Sequence, residues 1–420
     1  MRCEVIAVGS ELLLGQVIDT NSSWIGEQLA AHGINSHFQT KVGDNPERIA
    51  QSIELALSRS VAVIMCGGLG PTQDDITRDV IASVMGVELE MDEEIVARIE
   101  KLFADFGRSM PMNNLRQAEV PVGARTIEQM PGTAPGLVCE LPGDKVIFAV
   151  PGVPREMKEM LLGTVLPELR RRAGETGTIK SRVLRTWGDS ESGIAERLDK
   201  RIKELDELGN PTIAFLASGM EGLKVRITAK GATEAEVEQI LADEEAVLRP
   251  LLADVIFGVD GDTMESVVLD ILAERGQTLA VAESVTGGFI AKRLTDVPGA
   301  SRVFRGGLVS YASDLKYDLL NVPEGPVVSE QAAIAMAEGA RKLLGSDVAV
   351  ATTGIAGPDE AEGQRPGTVF VGIATAKGSS GSQLGIRGSR ELVREFAVIG
   401  TLSLLRRVLL AEIEDEKEAQ

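Results

Sequence analysis

Apolar residues run through this chain in two rhythms. Some form short runs bounded by glycine; others recur at i, i+3 and i+4 over longer stretches. The runs CEVIAV (3–8), VAVIMC (61–66) and KVIFAV (145–150) have the character of strands buried on both faces of a parallel sheet. Between them the pattern predicts a helix from Asn21, a strand over SHFQTKV (36–42), a helix over 46–58 and another over TRDVIASVMG (77–86), while PGVPREM (151–157) opens one more helix. This β-loop-α recurrence predicts a parallel sheet covered on both faces and ending near Arg172.

GETGTIKS (174–181) is rich in Gly, Thr and Ser and marks a boundary. The next piece reads strand (181–187), helix (192–205), two strands (212–217 and 223–231) and helix (234–252), a small α+β unit of the split βαβ type. It carries no glycine-rich phosphate loop and no clustered nucleophile, so it reads as a spacer or dimerisation module. A second boundary falls at GVDGDT (258–263). Beyond it come strands over 278–283, 304–312, 347–354 and 368–376, interleaved with helices over 264–276, 286–297, 313–322 and 329–345, and a long last helix from Arg390. The tail EIEDEKEAQ (412–420) reads as a solvated end that frays. The fold class is therefore α/β, with domains over 1–172, 178–256 and 262–415.

Composition narrows the chemistry. Hydrophobic residues make up 44% and charged residues 25%, an ordinary globular balance. No run is apolar enough to span a membrane, and the alternating N-terminus, cut by Glu4 and Glu11, is no signal peptide. A cytoplasmic protein without a membrane partner is expected. Cys3, Cys66 and Cys139 are scattered and fit small buried thiols better than a disulfide framework or a zinc site. The formal charge of −20 makes nucleic acid a poor partner. Only two histidines are present, His32 and His37, so chemistry in the last two-thirds must run without imidazole or thiolate.

Four segments of the last domain carry candidate chemistry. In TLAVAESVTGG (278–288) Ser284 sits on the turn from a buried strand into a helix, where amide donors and the helix dipole favour an oxyanion, and Gly287 and Gly288 admit close approach. A plain N-cap serine fits the same position. In GGLVSYASDLKYDLL (306–320) Lys316 follows a strand closely; away from water, beside a serine, it could accept the serine proton, with Tyr311 supporting it. In VAVATTGIAGP (348–358), Thr353, Gly354, Ile355, Ala356 and Gly357 form a loop able to present amides to an anion. The following polar, glycine-rich loop reads as a lid. In RGSRELVREF (387–396), Arg390 and Arg394 lie one turn apart, fit to clamp a phosphate or to pair with Glu391 and Glu395, behind the N-cap candidate Ser389. Spacing alone gives acyl transfer near an anion site.

Together AESVTGG, GGLVSY with its lysine, TTGIAGP, GTV and the Arg390/Arg394 helix resemble the nicotinamide-nucleotide amidase family, the C-terminal domain of CinA-type proteins, over 262–412. The resemblance implies hydrolysis of nicotinamide mononucleotide (NMN) to nicotinate mononucleotide and ammonia. It implies Ser284 as nucleophile, Lys316 as base with Tyr311 in support, and Thr286, Thr353 and nearby amides as holders of the oxyanion. Arg390, Arg394 and the GIAGP loop would bind the ribose phosphate. This domain needs no cofactor.

In the first domain, acids and glycines gather at strand ends, where ligands of open α/β sheets bind. Glu11, Asp19 and Asn21 follow the first strand; Gly67, Gly68, Gly70, Gln73, Asp74, Asp75 and Asp79 follow VAVIMC. Each has a plainer role open to it: Asp74 as a helix cap, Asp79 as an ion-pair partner of Arg78 or of lysines, Glu156 as complement to its helix dipole. SELLLGQ, DTNS, GGLGPTQDDITRD, PGTAPG and PGVPREM resemble the molybdopterin-binding fold and, more closely, the N-terminal domain of CinA over 1–172. That resemblance implies a three-layer α/β/α domain that hydrolyses ADP-ribose to AMP and ribose 5-phosphate. It implies a divalent metal (Mg, Mn or Co, with or without K) near Glu11, Asp74 and Asp75, phosphate loops at Gly67, Gly68 and Gly70, and Thr133 in the site. The family pattern has an asparagine shortly before GTAPG; this chain reads IEQM there (127–130), a departure at the substrate edge. A homodimer follows from the resemblance alone. Two other readings stay open: a molybdopterin-related enzyme, and a non-enzymatic competence or DNA-repair adaptor, which the acidic charge disfavours as a direct nucleic-acid contact.

Overall fold

The structure, a computed structural model, describes residues 1–174, 178–217, 219–253 and 255–418. Residues 175–177 of the expected boundary at 174–181 lie outside the described residues. Two compact units divide the chain: Met1–Ser181 with Thr228–Gln239, and Arg182–Ile227 with Ile240–Gln420.

The first unit is built on a six-stranded sheet in the order Gln39–Val42, Cys3–Val8, Ala62–Cys66, Lys145–Val150, Leu137–Leu141, Arg125–Thr126. Successive residues of each central strand feed opposite layers, as the two-residue period requires. Val5, Ile64 and Phe148 pack with Ile25, Leu29, Met157 and Leu169 of helices Thr20–Ala31, Pro154–Met160 and Leu166–Arg172. Ile6, Val63, Met65 and Ile147 pack with Ile49, Ile53, Ile81 and Ile99 on the other face. The expectation of an all-parallel sheet needs correcting. The first four strands are parallel, but Leu137–Leu141 pairs antiparallel with Lys145–Val150, and Arg125–Thr126 antiparallel with it. The cause is local: Gly143 and Asp144 take φ of 78° and 60°, a turn that sends the chain back on itself as a hairpin.

A four-stranded sheet is ordered Thr212–Ala217, Leu223–Gly231, Thr178–Thr186, Ile256–Val259. Helices Glu191–Leu208 and Glu234–Leu251 accompany it. The last strand was not legible as such, being four residues long beside the glycine-rich 258–263 stretch. The five-stranded sheet that follows runs Phe304–Val309, Leu279–Glu283, Val348–Gly354, Thr368–Ala374, Ser379–Gly385; the first three are parallel and the last two antiparallel. Its faces differ in side-chain size. Val281, Val350 and Val371 meet Val268, Leu272, Ile290 and Leu402 of helices Met264–Glu274, Phe289–Thr295 and Arg390–Glu418. Ala280, Ala282, Ala349 and Ala351 meet Ala332, Met336 and Leu320 of helices Glu330–Leu344 and Ser313–Leu320. Small residues there let Glu330–Leu344 lie close on the sheet.

The tail does not fray as expected: the last helix continues to Glu418. Glu412 accepts from Thr375 Oγ1 at 2.8 Å and Arg275 Nη2 at 3.3 Å, and Glu416 pairs with Arg275 and Lys377. These bonds hold the acidic end to the body of the unit. No helix among the described residues is long and apolar enough to cross a membrane.

Candidate active site

Leu279–Glu283 ends on a fully buried carboxylate. Glu283 turns to the helix-290 face, where its oxygens accept the amides of Gly288 (2.9 Å), Ile290 (3.0 Å) and Ala291 (2.8 Å). This carboxylate, and no serine, satisfies the start of helix Phe289–Thr295. The N-cap position is Gly288, with φ 92°, where a side chain would be strained. Two expectations change. Ser284 is not a capping serine, and the helix amides expected beside it are occupied. Among the described residues the amides of Val285 and Thr286 are the ones in this turn that lack an acceptor.

The ladder fixes what surrounds Ser284. Glu283 pairs with Val309 on one side and Thr352 on the other; the ladder continues through Ser310 N–H to Glu283 O (2.9 Å) and Ser284 N–H to Thr352 O (3.0 Å). One residue further, the backbone of Ser284 therefore lies between Ser310 and Thr353, about 4.8 Å from each neighbouring strand. Ser284 is half-buried in the turn that follows the strand, and Lys316 stands on the helix whose Leu320 packs on the alanine side of the sheet.

Lys316 is 1% exposed, and its Nζ donates to the carbonyls of Ser310 (2.7 Å), Tyr311 (3.4 Å) and Ala312 (3.5 Å). Burial pushes its pKa down from the usual lysine value, while the charges of Glu362 and Asp314 push it back up. Among the described residues no hydrogen bond joins Lys316 Nζ to Ser284 Oγ; the amine is anchored on the residue opposite the serine. Thr286 and Thr353 are buried with their hydroxyls engaged inward, Thr286 with Thr352 Oγ1 (2.8 Å) and Thr353 with Val327 O (2.7 Å). Any oxyanion contact from them would come from their backbone.

Arg390 ties two expected elements together, donating to Tyr311 Oη and to Gly357 O, each at 2.8 Å. Arg394 donates to Thr286 O at 3.0 Å rather than pairing with Glu391 or Glu395. Ser389 Oγ accepts the amide of Leu392 at 3.3 Å, as an N-cap does. Gly287, Gly288 and Arg394 border a shallow cleft of about 400 Å³ with Phe289, Lys292 and Glu395. Of the loop 354–357, the Ile355 amide is closed onto Thr368 O (2.8 Å). Glu362 of the expected lid accepts Val328 N–H at 2.8 Å and faces Lys316 with its charge. Sequence reasoning missed Glu283, Ser310 and Glu362; the acid directly before the serine was the one available signal.

In the first unit a cleft of about 490 Å³ opens at the carboxyl ends of the parallel strands. Glu11, Gly67, Gly68, Gly70, Asp75 and Thr133 line it, while Asp74 is exposed outside the lining. Asp75 is held by Thr72, whose amide donates to Oδ2 at 2.9 Å and whose hydroxyl donates to the same oxygen. Glu11, Asp74 and Asp75 do not converge, and among the described residues no three His, Cys, Asp or Glu side chains are grouped to hold a metal ion. That set does not fit a metal centre. Asp79 binds Arg116 at 2.8 Å. Arg78 lies buried and donates to the carbonyls of Leu69 and Gly70, which fixes the GGLG loop.

The cleft wall also holds groups not singled out as site residues. The Asp19 side chain is 3% exposed; Oδ1 accepts the Ser22 amide at 2.9 Å, and Oδ2 has no hydrogen bond, with Lys41 Nζ at 3.6 Å. Gln117 Oε1 is likewise buried without a partner. Burial pushes the Glu156 carboxyl up, with Glu159 adding to it and Arg155 opposing. Burial also pushes the Cys66 thiol up to about 12, which makes it inert. At the departure before GTAPG, Gln129 is bound to Thr164 and does not line the cleft.

Comparison with known proteins places each part. Residues 4–171 match the family described as "Probable molybdopterin binding domain", 181–258 the "Damage-inducible protein CinA KH domain" and 261–409 the "CinA C-terminal domain". The chain is 45% identical to a CinA-like protein of Frankia casuarinae, over 97% of this chain and 96% of that one. It is 41% identical to a CinA-like protein of Dictyoglomus turgidum, over 98% of this chain and 100% of that one. A crystal structure of the protein CinA with unknown function from Thermoplasma acidophilum matches 41% of this chain and 96% of its own, at 35% identity and a TM-score of 0.36. With relatives this similar over almost its whole length, the chain belongs to the CinA family.

Proposed function

We propose that the second unit's site is a serine amidohydrolase acting on the carboxamide of nicotinamide mononucleotide. The observation that carries the reading is the seat of Ser284. It stands at a strand end with the free amides of Val285 and Thr286 beside it, opposite the residue whose carbonyl anchors the buried Lys316 amine. In the proposed reaction Ser284 Oγ bonds to the carboxamide carbon as its proton passes to an uncharged Lys316. The C–N bond then breaks and ammonia leaves with that proton. Water hydrolyses the ester by the same route and leaves the carboxylate. The free amides face the developing oxyanion, and Arg390 and Arg394 supply charge for a phosphate. The nicotinamide ring itself comes from the family resemblance. Ammonia release from NMN tests the reading. Ser284→Ala should lower turnover by about 10³-fold or more, with the circular dichroism spectrum unchanged; retained turnover would remove Ser284 as nucleophile.

For the first unit we propose a nucleoside diphosphate ligand, ADP-ribose, cleaved to AMP and ribose 5-phosphate. The support is the cleft at the strand ends, walled by the glycine loop and by buried acceptor oxygens that accept no hydrogen bond. A divalent metal belongs to this proposal as a requirement to be tested. AMP release is measured with and without added Mg.

A further inference from the structure

Residues of strand Leu279–Glu283 alternate between the two faces of the sheet. Val281 joins the cluster of Ile290, and Glu283, two residues on, shares that side. The Glu283 carboxylate is fully buried, and among the described residues it forms no ion pair. A buried charge must be met by donors. Three backbone amides meet it: Gly288 and Ile290 on one oxygen, at 2.9 and 3.0 Å, and Ala291 on the other, at 2.8 Å. Between them, Phe289 N–H donates to Thr286 O at 3.3 Å. Helix Phe289–Thr295 thus starts with its donors already engaged.

Glu283 therefore holds both ends of the segment that carries Ser284. Its backbone is locked in the ladder between Val309 and Thr352, and its side chain holds the helix start. In between, Ser284–Gly287 closes as a turn, with Gly287 N–H donating to Ser284 O at 3.1 Å. Such a turn bonds the amide of its last residue and leaves unused those of its two central ones, here Val285 and Thr286. Both central side chains are anchored inward, Val285 in the cluster of Val281 and Ile290, and Thr286 on Thr352 Oγ1 at 2.8 Å. The turn is fixed at every point except its two open amides.

We propose that Glu283 is a positioning residue that clamps this turn to the helix and so holds the Val285 and Thr286 amides where the oxyanion forms. It touches neither substrate nor reacting atoms, and its role rests on the serine reading above. The clamp needs a carboxylate, because its three donors use acceptors on both oxygens. Glutamine, with one oxygen, would set an NH₂ group against at least one of these amides.

The test uses the full chain as wild type, Glu283→Gln, Gly288→Ala and Ser284→Ala. Gly288 stands at φ 92°, and a Cβ there would meet Val309 Cγ2 at 3.5 Å, an ordinary contact. Gly288→Ala therefore strains the clamp from its other end without crowding it. Two ligands are titrated by calorimetry. Pyridine-3-boronic acid forms a tetrahedral adduct on the serine oxygen and so draws on the oxyanion amides; nicotinate mononucleotide forms none. Ammonia release from NMN gives kcat and KM. In both variants kcat and boronate affinity should fall together, about 10²-fold in Glu283→Gln and about 10-fold in Gly288→Ala, with KM and nicotinate mononucleotide affinity within a factor of about three. Equal losses for boronate and nicotinate mononucleotide would show that the clamp shapes the whole pocket, and would overturn the proposal. Should Glu283→Gln not fold, Gly288→Ala decides by the same comparison. Turnover that is lost in Ser284→Ala but kept in Glu283→Gln, with only Tm lowered, overturns the positioning role and leaves the serine reading standing. A wild-type chain that releases no ammonia, yet binds boronate through Ser284 and more weakly in Glu283→Gln, overturns the substrate reading and keeps the positioning role. Boronate binding unchanged in Ser284→Ala overturns the serine reading and the role of Glu283 with it.

Discussion

The two candidate sites are built on the same principle of open sheets, a ligand seat at the carboxyl ends of parallel strands, yet they treat buried polar atoms differently. Around Ser284 the side chains are mostly closed on near neighbours: Glu283 on three amides, Lys316 on three carbonyls, Thr286 on Thr352 and Thr353 on Val327 O, with the Ser310 hydroxyl and the amides of Val285 and Thr286 left open. Around the first-unit cleft, Asp19 Oδ2 and Gln117 Oε1 accept no hydrogen bond, Asp19 Oδ2 having only the charge of Lys41 Nζ at 3.6 Å, and Glu156 is desolvated by burial. A closed site positions its few reacting atoms in advance, which suits bond-making by the chain itself. An open wall of acceptors suits a ligand that brings its own donors, such as ribose hydroxyls.

The largest effect expected from breaking this contrast is at Lys316. Lys316→Met keeps the length and apolar stem and removes the amine, and ammonia release from NMN should fall about 10³-fold. The same residue gives a sign test for stability. Its folded-state pKa lies below the ordinary 10.5, so the unfolded chain binds the proton more readily. Between the folded value and 10.5, wild-type stability should therefore rise with pH. In Lys316→Met that rise should be absent, as read by denaturant titration at a series of pH values. A wild-type profile that is flat or falls with pH across that window would show that the amine is not desolvated, and the site would lose its base.

A smaller effect is expected in the first unit at Asp19. Its Oδ1 caps helix Thr20–Ala31, so Asp19→Ala should cost about 1 kcal/mol through the lost cap. If the open Oδ2 receives a ligand hydroxyl, AMP release from ADP-ribose should also fall, by about 10-fold for one charged hydrogen bond. A loss of stability with unchanged turnover would make Asp19 a cap only and remove one half of the contrast.

What the sequence disclosed follows the same division. The central strands were legible because a strand buried on both faces must be a nearly continuous apolar run, as 5–8, 62–66 and 146–150 are. Edge strands were not. Ser379–Gly385 reads SSGSQLG, with one large apolar residue, and is held as a strand by pairing with Thr368–Ala374 rather than by its own composition. Ser284, Lys316 and Arg390 were visible as residue types at strand and helix ends. Their mutual placement depends on a register between strands distant in sequence, which no local pattern carries. Burial was equally hidden: nothing in DTNS distinguishes a solvated aspartate from Asp19, whose side chain is 3% exposed. The metal set Glu11, Asp74 and Asp75 is not grouped in the structure for the same reason: Thr72 holds Asp75 on its turn, a contact that no local pattern of acids discloses.

The smallest effect expected is at Glu156, and it bears on the first unit's side of the comparison. Burial raises this carboxyl above the ordinary 4.5, so the folded chain favours the protonated form. Ionising it costs stability, and that cost appears as pH rises from 4.5 through the folded value and is complete above it. Glu156→Gln keeps the shape and abolishes the ionisation. The variant should match wild type near pH 4 and melt slightly higher at neutral pH, with the gap opening across that window. The carboxylate also lines the cleft meant for an anionic nucleotide, so the variant should bind ADP-ribose without metal more tightly than wild type, as read by calorimetry at neutral pH. Tighter binding with the expected Tm gap would place the phosphates near Glu156. A Tm gap with unchanged affinity would confine Glu156 to the wall and move the anion toward the Gly67–Gly70 end of the cleft.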